Sequence, residues 1–345
     1  MRRFLVPLAL ACAALPVLAT STEEVTVKCP VCDNEFKAER CNSSNNMGGQ
    51  DRDFCEHAAG GEAWIISCWT CPRCCYTGFP KDFDPEKAPK VMVEGLKKEN
   101  PLKPAEPIDP KLGYSRKIPP WVRYDLLIQR VKLDAGTTSE RFANLCLRTA
   151  QTQRFDWDAL EAGDFGDRMN ARFKEKLQAM PEETREKYHH DRYDIDMTIA
   201  RALEAEAADA KAGLDAAGRI DARVGAAVLY KMRGEDADAE RVLAALAGVE
   251  LNPELKAVVE DIRVRIERER KYRQLAIPYF EKHIVEGKPD AHQAVSVQYL
   301  LGVLYRRTGD PKKAVASLEP LLTKEGIPED FLTWIKDELA KAKAG

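Results

Sequence analysis

The chain has 345 residues, with 53 Lys plus Arg against 56 Asp plus Glu and a formal net charge of −3. That balance excludes the strongly basic surface a nucleic-acid partner requires. With 44% hydrophobic and 32% charged residues the class is globular and water-soluble, and the length is enough to bury a sizeable core in two or three domains.

Residues 1–19 carry Arg2 and Arg3, an apolar run, and small or apolar residues, Val17 and Ala19, at the −3 and −1 positions of a cleavage site before Thr20. This is the pattern of a secretory signal peptide. Its apolar run is too short, and too broken by Pro7 and Pro16, for a comfortable membrane span. Cleavage removes the two arginines, leaves a mature chain of formal charge −5 with no second apolar run of membrane length, and implies a periplasmic or cell-envelope address.

Two knuckles follow, Cys29-Pro30-Val31-Cys32 and Cys71-Pro72-Arg73-Cys74, with positions 33–70 between them. Each comes after a run that reads as a strand, Val25-Thr26-Val27-Lys28 and Ala63-Trp64-Ile65-Ile66-Ser67, and is trailed by an aromatic, Phe36 in one case and Tyr76 and Phe79 in the other. Two thiolates so close in sequence share an ion only if the chain turns tightly between them, and proline after the first cysteine favours that turn. Two such pairs supply the four soft sulfurs that suit tetrahedral Zn²⁺, and a filled shell leaves no position for water or substrate. The sequence therefore predicts a structural zinc site at Cys29, Cys32, Cys71 and Cys74. Disulfides are the alternative: Cys41, Cys55, Cys68 and Cys75 crowd into the same stretch, and eight cysteines pair in 105 ways.

Between the knuckles, positions 41–50 are turn chemistry, followed by Asp51-Arg52-Asp53-Phe54-Cys55-Glu56-His57 and a Gly60-Gly61 break. Asp51, Asp53 and His57 are of the right type to hold a second ion. A surface loop closed by a Cys41–Cys55 disulfide accounts for the same residues with less. Positions 80–120 are spaced by prolines, which forbid long helices, so the segment reads as a linker or a strap along the next domain. Lys97, Lys98 and Lys103 are read there as solvated rather than anion-binding.

Beyond Pro120 the hydrophobic period becomes helical at 121–131, 139–153 and 181–217. Asn252-Pro253 is a helix start, with Asn as cap and Pro at the first helical position. Leu255, Val259, Ile262 and Ile266 form its buried stripe, the charges Arg263, Arg265, Glu267 and Arg268 are read as a solvated face, and Pro278 is expected to kink or end the helix. Tyr230, Gly234, Glu235, Ala239 and Leu243 recur at one constant offset as Tyr305, Gly309, Asp310, Ala314 and Leu318, with Ala227 answering Gly302. Small residue, Tyr, tight turn, Ala and Leu make a helical hairpin pattern that resembles a tetratricopeptide repeat. Stacked hairpins present a surface to a protein or peptide partner.

The paired CPxC knuckles, Asp53-Phe54-Cys55, Tyr76, Asp82-Phe83 and, more loosely, the run 119–124 together resemble a bacterial family, the domain-of-unknown-function family 2225. That resemblance implies a metal-binding module of unestablished activity followed by tetratricopeptide-like helices. The family usually has Gly after the second knuckle, where this chain has Cys75. Cys41, Cys68 and Cys75 look like additions suited to an exported variant, in which disulfides among Cys41, Cys55, Cys68 and Cys75 accompany or replace the metal.

The expected fold is α+β: a signal peptide at 1–19, a cysteine-rich zinc-ribbon-like β head at 20–83, a proline-rich linker or strap at 84–120, and an α-helical tetratricopeptide-like body at 121–345. The function that uses these features is an exported interaction or scaffold module with structural zinc and no catalytic residues. A thiol–disulfide oxidoreductase working through a CxxC pair is the alternative, although such motifs usually sit at a helix N-terminus. An iron–sulfur protein is a further one, on the Cys68-x2-Cys71-x2-Cys74 spacing, but Gly78 stands where a fourth ligand belongs. His189-His190-Asp191 is read as a solvated helical face, and Cys146 as a buried core thiol.

Overall fold

The computed structural model of the chain describes residues 20–58, 61–188 and 190–344. The leader read at 1–19, and His189, lie outside the described residues. The chain divides into two compact units, one made of the residues up to Gly49 together with Glu56–Gly136, the other of Gln50–Cys55 together with Thr137–Gly345.

In the first unit, β1 (Ser21–Lys28) and β2 (Glu35–Ser43) pair antiparallel, with Val27 opposite Phe36 and Val25 opposite Ala38. Alternation puts Val27, Phe36 and Ala38 on the buried face. The stretch expected as a second strand at 63–67 is instead α1 (Ala63–Ile66), a single helical turn. Its neighbours Ile65 and Ile66 are both buried, which a half-exposed strand cannot achieve because successive side chains point to opposite faces. Short strands β3 (Trp69–Thr70) and β4 (Thr77–Gly78) then flank the second knuckle.

The proline-spaced segment belongs to this unit's own core. It includes α2 (Lys90–Lys98) between Pro89 and Pro101, and it buries Ala88, Val93, Leu96, Leu102 and Ile118 in one cluster with Phe36, Trp69 and Tyr76. Phe83 is the hub, with ring centroids 5.2 Å from Tyr76 and 5.8 Å from both Phe36 and Trp69. Helix α3 (Pro120–Lys132) closes the unit and threads two arginines through it. Buried Arg123 donates to the carbonyls of Ile65 (3.0 Å), Cys68 (2.5 Å) and Ile118 (3.0 Å), while Arg130 donates to Thr77 O (2.7 Å) and Asp82 Oδ2 (3.0 Å). Tyr124 donates to Trp64 O (2.6 Å). Helix α3 thus satisfies backbone acceptors on both sides of the second knuckle.

The second unit is helical: α4 (Ser139–Gln151), α5 (Asp158–Glu161), α6 (Phe165–Gln178), α7 (Glu182–Glu186), α8 (Arg192–Ala208), α9 (Ala216–Met232), α10 (Asp236–Ala244), α11 (Pro253–Glu286), α12 (Ala291–Arg307), α13 (Pro311–Leu318) and α14 (Glu329–Ala344). The hairpins α9–α10 and α12–α13 are the expected repeats, and the two ends of α12 match those of α9 at the offset of the sequence recurrence. Both turn in the same way. Gly234 (φ 71°) and Gly309 (φ 87°) are left-handed, Glu235 N donates to Tyr230 O (2.9 Å) and Asp310 N to Tyr305 O (2.8 Å), and the glycine amides reach Lys231 O and Arg306 O. This pair of bonds is a Schellman stop, which costs least with glycine at the left-handed position. Ala239 and Ala314 are fully buried, and a Cβ on Gly302 would lie 2.6 Å from Leu318 Cδ2, so the helices of the second hairpin meet at van der Waals distance only because position 302 has no side chain.

The repeat extends past the hairpin. Tyr230 donates to Glu204 of α8 (3.2 Å), and Tyr305 donates to Glu281 of α11. Pro253-Glu254, which opens α11, recurs as Pro328-Glu329 at the start of α14. One repeat is therefore about three helices, and α11 serves two repeats: its first half closes one hairpin and its second half opens the next. Of the two outcomes expected at Pro278, a kink or an end, the end does not occur: the helix runs on to Glu286. Packing on α4, with Phe142 and Tyr279 rings 4.2 Å apart, holds the turn around the proline. At its start the expected cap is present, with Asn252 Oδ1 accepting from Leu255 N (2.8 Å). Arg265, expected on a solvated face, donates to the carbonyls of Gln153, Phe155 and Asp156 and stacks on Trp157 at 4.4 Å.

Candidate metal centre

The two knuckles fold alike because they make the same local bonds. Cys29 N donates to Asn34 O (2.9 Å) and Asp33 N to Cys29 O (3.0 Å); Cys71 N donates to Tyr76 O (2.8 Å) and Cys75 N to Cys71 O (2.9 Å). The fifth residue of each is left-handed, Asp33 at φ 58° and Cys75 at φ 63°. Cys75 thus occupies the conformation for which glycine is the low-cost residue.

The turns bring four sulfurs together. Cys29 Sγ lies 3.5 Å from Cys74 Sγ and Cys32 Sγ lies 3.6 Å from Cys71 Sγ, and all four fall within 4.8 Å of one another. A tetrahedral ion with metal–sulfur bonds of about 2.3 Å requires sulfurs roughly 3.8 Å apart, so the spacing fits such an ion. Disulfide sulfurs lie at roughly 2.05 Å, well inside these separations. Cys29 and Cys71 are fully buried, while Cys32 and Cys74 are half-buried.

Electrostatics favour a cation at the centre. Hydrogen bonds from Cys29 and Cys74 hold the Cys71 thiol down at about 2, with the amides of Cys74 and Arg73 adding to the effect. Cys29 is pushed up to about 12, first by Cys71, and Cys74 is pushed up by Cys29 and Cys71. Four thiols crowded into one site cannot ionise together, and a divalent cation removes that repulsion. Asn34 Nδ2 points at Cys71 Sγ from 3.8 Å. The cluster can hold a metal ion.

Cys68 is outside this group, buried beside the Arg123 contact, with burial pushing its thiol up to about 12. The ferredoxin-like trio expected as one alternative is therefore divided: Cys71 and Cys74 join Cys29 and Cys32, without Cys68. Cys41, Cys55, Cys68 and Cys75 are unbridged thiols in this structure. Cys146 is fully buried in α4, as read.

Sequence reasoning missed the character of residues 50–55. Read as a surface loop, this segment is buried in the helical unit: Asp51, Asp53 and Cys55 have no solvent exposure. The Asp51 carboxylate accepts from Arg154 (2.8 Å) and Arg233 (3.1 Å). Asp53 accepts from Arg154 Nη1 (2.9 Å) and pairs with Arg307 (2.9 Å). Arg154 also donates to Glu269 (2.9 Å), which is shared with Arg273 and Lys231. Glu235 takes Arg306 (3.0 Å) and Arg307 (3.1 Å). Burial alone raises a carboxyl pKa, yet here the arginines, Arg154 and Arg307 foremost, hold Asp53 well below the usual carboxylate range. Of the residues weighed as ligands for a second ion, Asp51 and Asp53 accept from guanidinium groups, and His57 is buried in the first unit with its amide donating to Gly49 O (2.9 Å). A signal was available: Lys231 and Arg306, at equivalent repeat positions, each directly follow an apolar run, Val228-Leu229-Tyr230 and Val303-Leu304-Tyr305, where a solvated charge is out of place.

A small β unit with two cysteine knuckles, and a helical unit with an internal repeat and an ionic core, define a protein with a four-thiol candidate metal centre. The family described as an uncharacterized protein conserved in bacteria (DUF2225) matches over residues 23–207, more than half of the chain. The chain belongs to that family. No curated protein and no solved structure matches it. The match takes in both knuckles and the 50–55 segment, and the two repeat hairpins lie beyond it.

Proposed function

We propose that this is an exported cell-envelope protein in which Cys29, Cys32, Cys71 and Cys74 hold one structural Zn²⁺, and in which the helical unit binds a protein or peptide partner. The observation that carries the reading is the four-sulfur geometry: thiols from two turns at tetrahedral spacing fill the whole coordination shell. An ion so enclosed contributes folding energy to a unit whose sheets are only two-stranded and marginal by themselves. Residues 1–19 support export by their sequence, and among the described residues no helix is long and apolar enough to cross a membrane. The repeat supports partner binding because stacked hairpins leave side-chain surfaces that no neighbouring repeat covers.

The test is expression with the native leader into an oxidising compartment, purification without chelator, and elemental analysis beside a thiol count after denaturation. The expected result is a chain beginning at Thr20, about one zinc per chain, and Cys29, Cys32, Cys71 and Cys74 protected from alkylation until a chelator is added. A metal-free protein with a disulfide inside one knuckle overturns the reading in favour of thiol–disulfide exchange. The short cross-knuckle separations make Cys29–Cys74 and Cys32–Cys71 the pairs expected from adventitious oxidation instead.

A further inference from the structure

The repeat gives the helical unit two equivalent grooves, each between the first turns of the hairpin's leading helix and the segment entering the helix that follows the hairpin. Ile220, Asp221 and Glu250 line the first; their repeat counterparts Val295, Ser296 and Glu325 line the second. The chain itself covers the first groove with α6. Arg168 of α6 reaches Asp221 (2.8 Å) and Glu254 (3.2 Å), and Phe165 N donates to Glu254 (2.5 Å). Phe165 and Met169 pack into the core cluster that includes Val224 of α9.

The second groove has no such cover among the described residues. It is a cavity of about 540 Å³ whose walls are α12, the 324–328 turn and α14, with Phe54 at one end. Phe54 is held there at φ 59°, a conformation costly for a bulky residue, and stacks on Tyr299 at 5.5 Å. Ile327, Phe331 and Trp334 are only partly buried. Exposed Glu325 and Asp330 line it together with Lys324 and His292, and exposed Glu329 stands next to Asp330 at the start of α14, which gives that end a net acidic edge. Glu329 is the counterpart of Glu254, the residue that takes both the α6 amino end and its arginine. Ser296 replaces Asp221, so the second groove is more apolar at its centre and carries its acids at one end.

We propose that this second groove docks an amphipathic helix of a partner protein, one with an aromatic anchor and an Arg or Lys at the third position after it, as in Phe165 and Arg168 of α6. The anchor enters among Val295, Phe331 and Trp334, and the basic residue pairs with Glu329. The inference rests on the interaction-module reading above and names the chemistry of its partner.

The experiment uses the zinc-loaded mature chain and a fluorescein-labelled, helix-stapled peptide with the sequence of residues 163–178, followed by fluorescence anisotropy. Saturable binding is expected. Glu329→Lys should weaken it roughly twofold to fivefold, the range of an exposed charge pair. A peptide with its Arg168 equivalent changed to Glu should recover affinity on that variant relative to the parent chain. Ser296→Trp, which fills the cavity, should abolish binding while thermal melting and zinc content stay at the parent values. No saturation up to millimolar peptide, or binding indifferent to both substitutions, overturns the proposal. Self-association of the parent chain that Ser296→Trp removes overturns it too, by assigning the groove to a second copy. Because zinc and thiol protection are read on the same sample, absent peptide binding with intact zinc refutes the groove alone, whereas absent zinc refutes the structural-metal reading.

Discussion

Glu269→Gln probes the ionic core at its most shared carboxylate. Glu269 is fully buried and accepts from Arg154 (2.7 Å), Arg273 (2.5 Å) and Lys231. Burial pushes its pKa up, but Arg154, Arg273 and Lys231 together bring it down from the ordinary 4.5 to about 2. At about 1.36 kcal/mol per pKa unit, the charged form stabilises the fold by about 3 kcal/mol at neutral pH. A depressed folded pKa means that this contribution is complete above 4.5 and disappears as the pH falls through about 2. Roughly 1 kcal/mol should remain at pH 3 by the same linkage. Urea unfolding followed by helical circular dichroism, for parent and variant at pH 7 and pH 3, measures the difference. Any loss of metal in acid affects both proteins and cancels. The variant should be less stable by about 3 kcal/mol at pH 7, with the gap narrowing by about 2 kcal/mol at pH 3. An equal gap at both pH values would refute the argument that the charge, rather than side-chain shape, is what the cluster uses.

Three further outcomes follow from geometry. Gly302→Ala should destabilise by about 1–3 kcal/mol, because its methyl meets Leu318, whereas Gly95→Ala, with nothing within 4 Å, should stabilise by about 0.5–1 kcal/mol; thermal melts of the two variants give the contrast. At the second knuckle, Cys75→Gly should exceed Cys75→Ala in stability by about 1 kcal/mol, since both lose the thiol and only glycine relieves the left-handed backbone. Iodoacetamide at pH 8, with peptide mass spectrometry, should label Cys41 in the folded protein and spare Cys68 until denaturant is added, because burial raises the Cys68 thiol to about 12.

What the sequence determined was what short-range chemistry decides. A CPxC turn is fixed by bonds within the knuckle, the Asn252-Pro253 cap by a bond within its own first turn, and the Gly234 and Gly309 stops by their own left-handed backbones, so all were legible without a partner in view. The recurrence of Tyr230 and Gly234 as Tyr305 and Gly309 likewise announced two hairpins that pack alike. Tertiary structure decided the rest. Whether residues 63–67 extend or coil depends on Arg123 and Tyr124 of α3, which claim the carbonyls of Ile65 and Trp64. Likewise the proline-spaced strap joins the head because its scattered Val93, Leu96, Leu102 and Ile118 find one core, a match no local period reveals. Above all, Asp51 and Asp53 looked solvated because their partners are remote: Arg154 lies 101 positions from Asp53, and a buried charge is tolerable only once folding supplies its counter-ion.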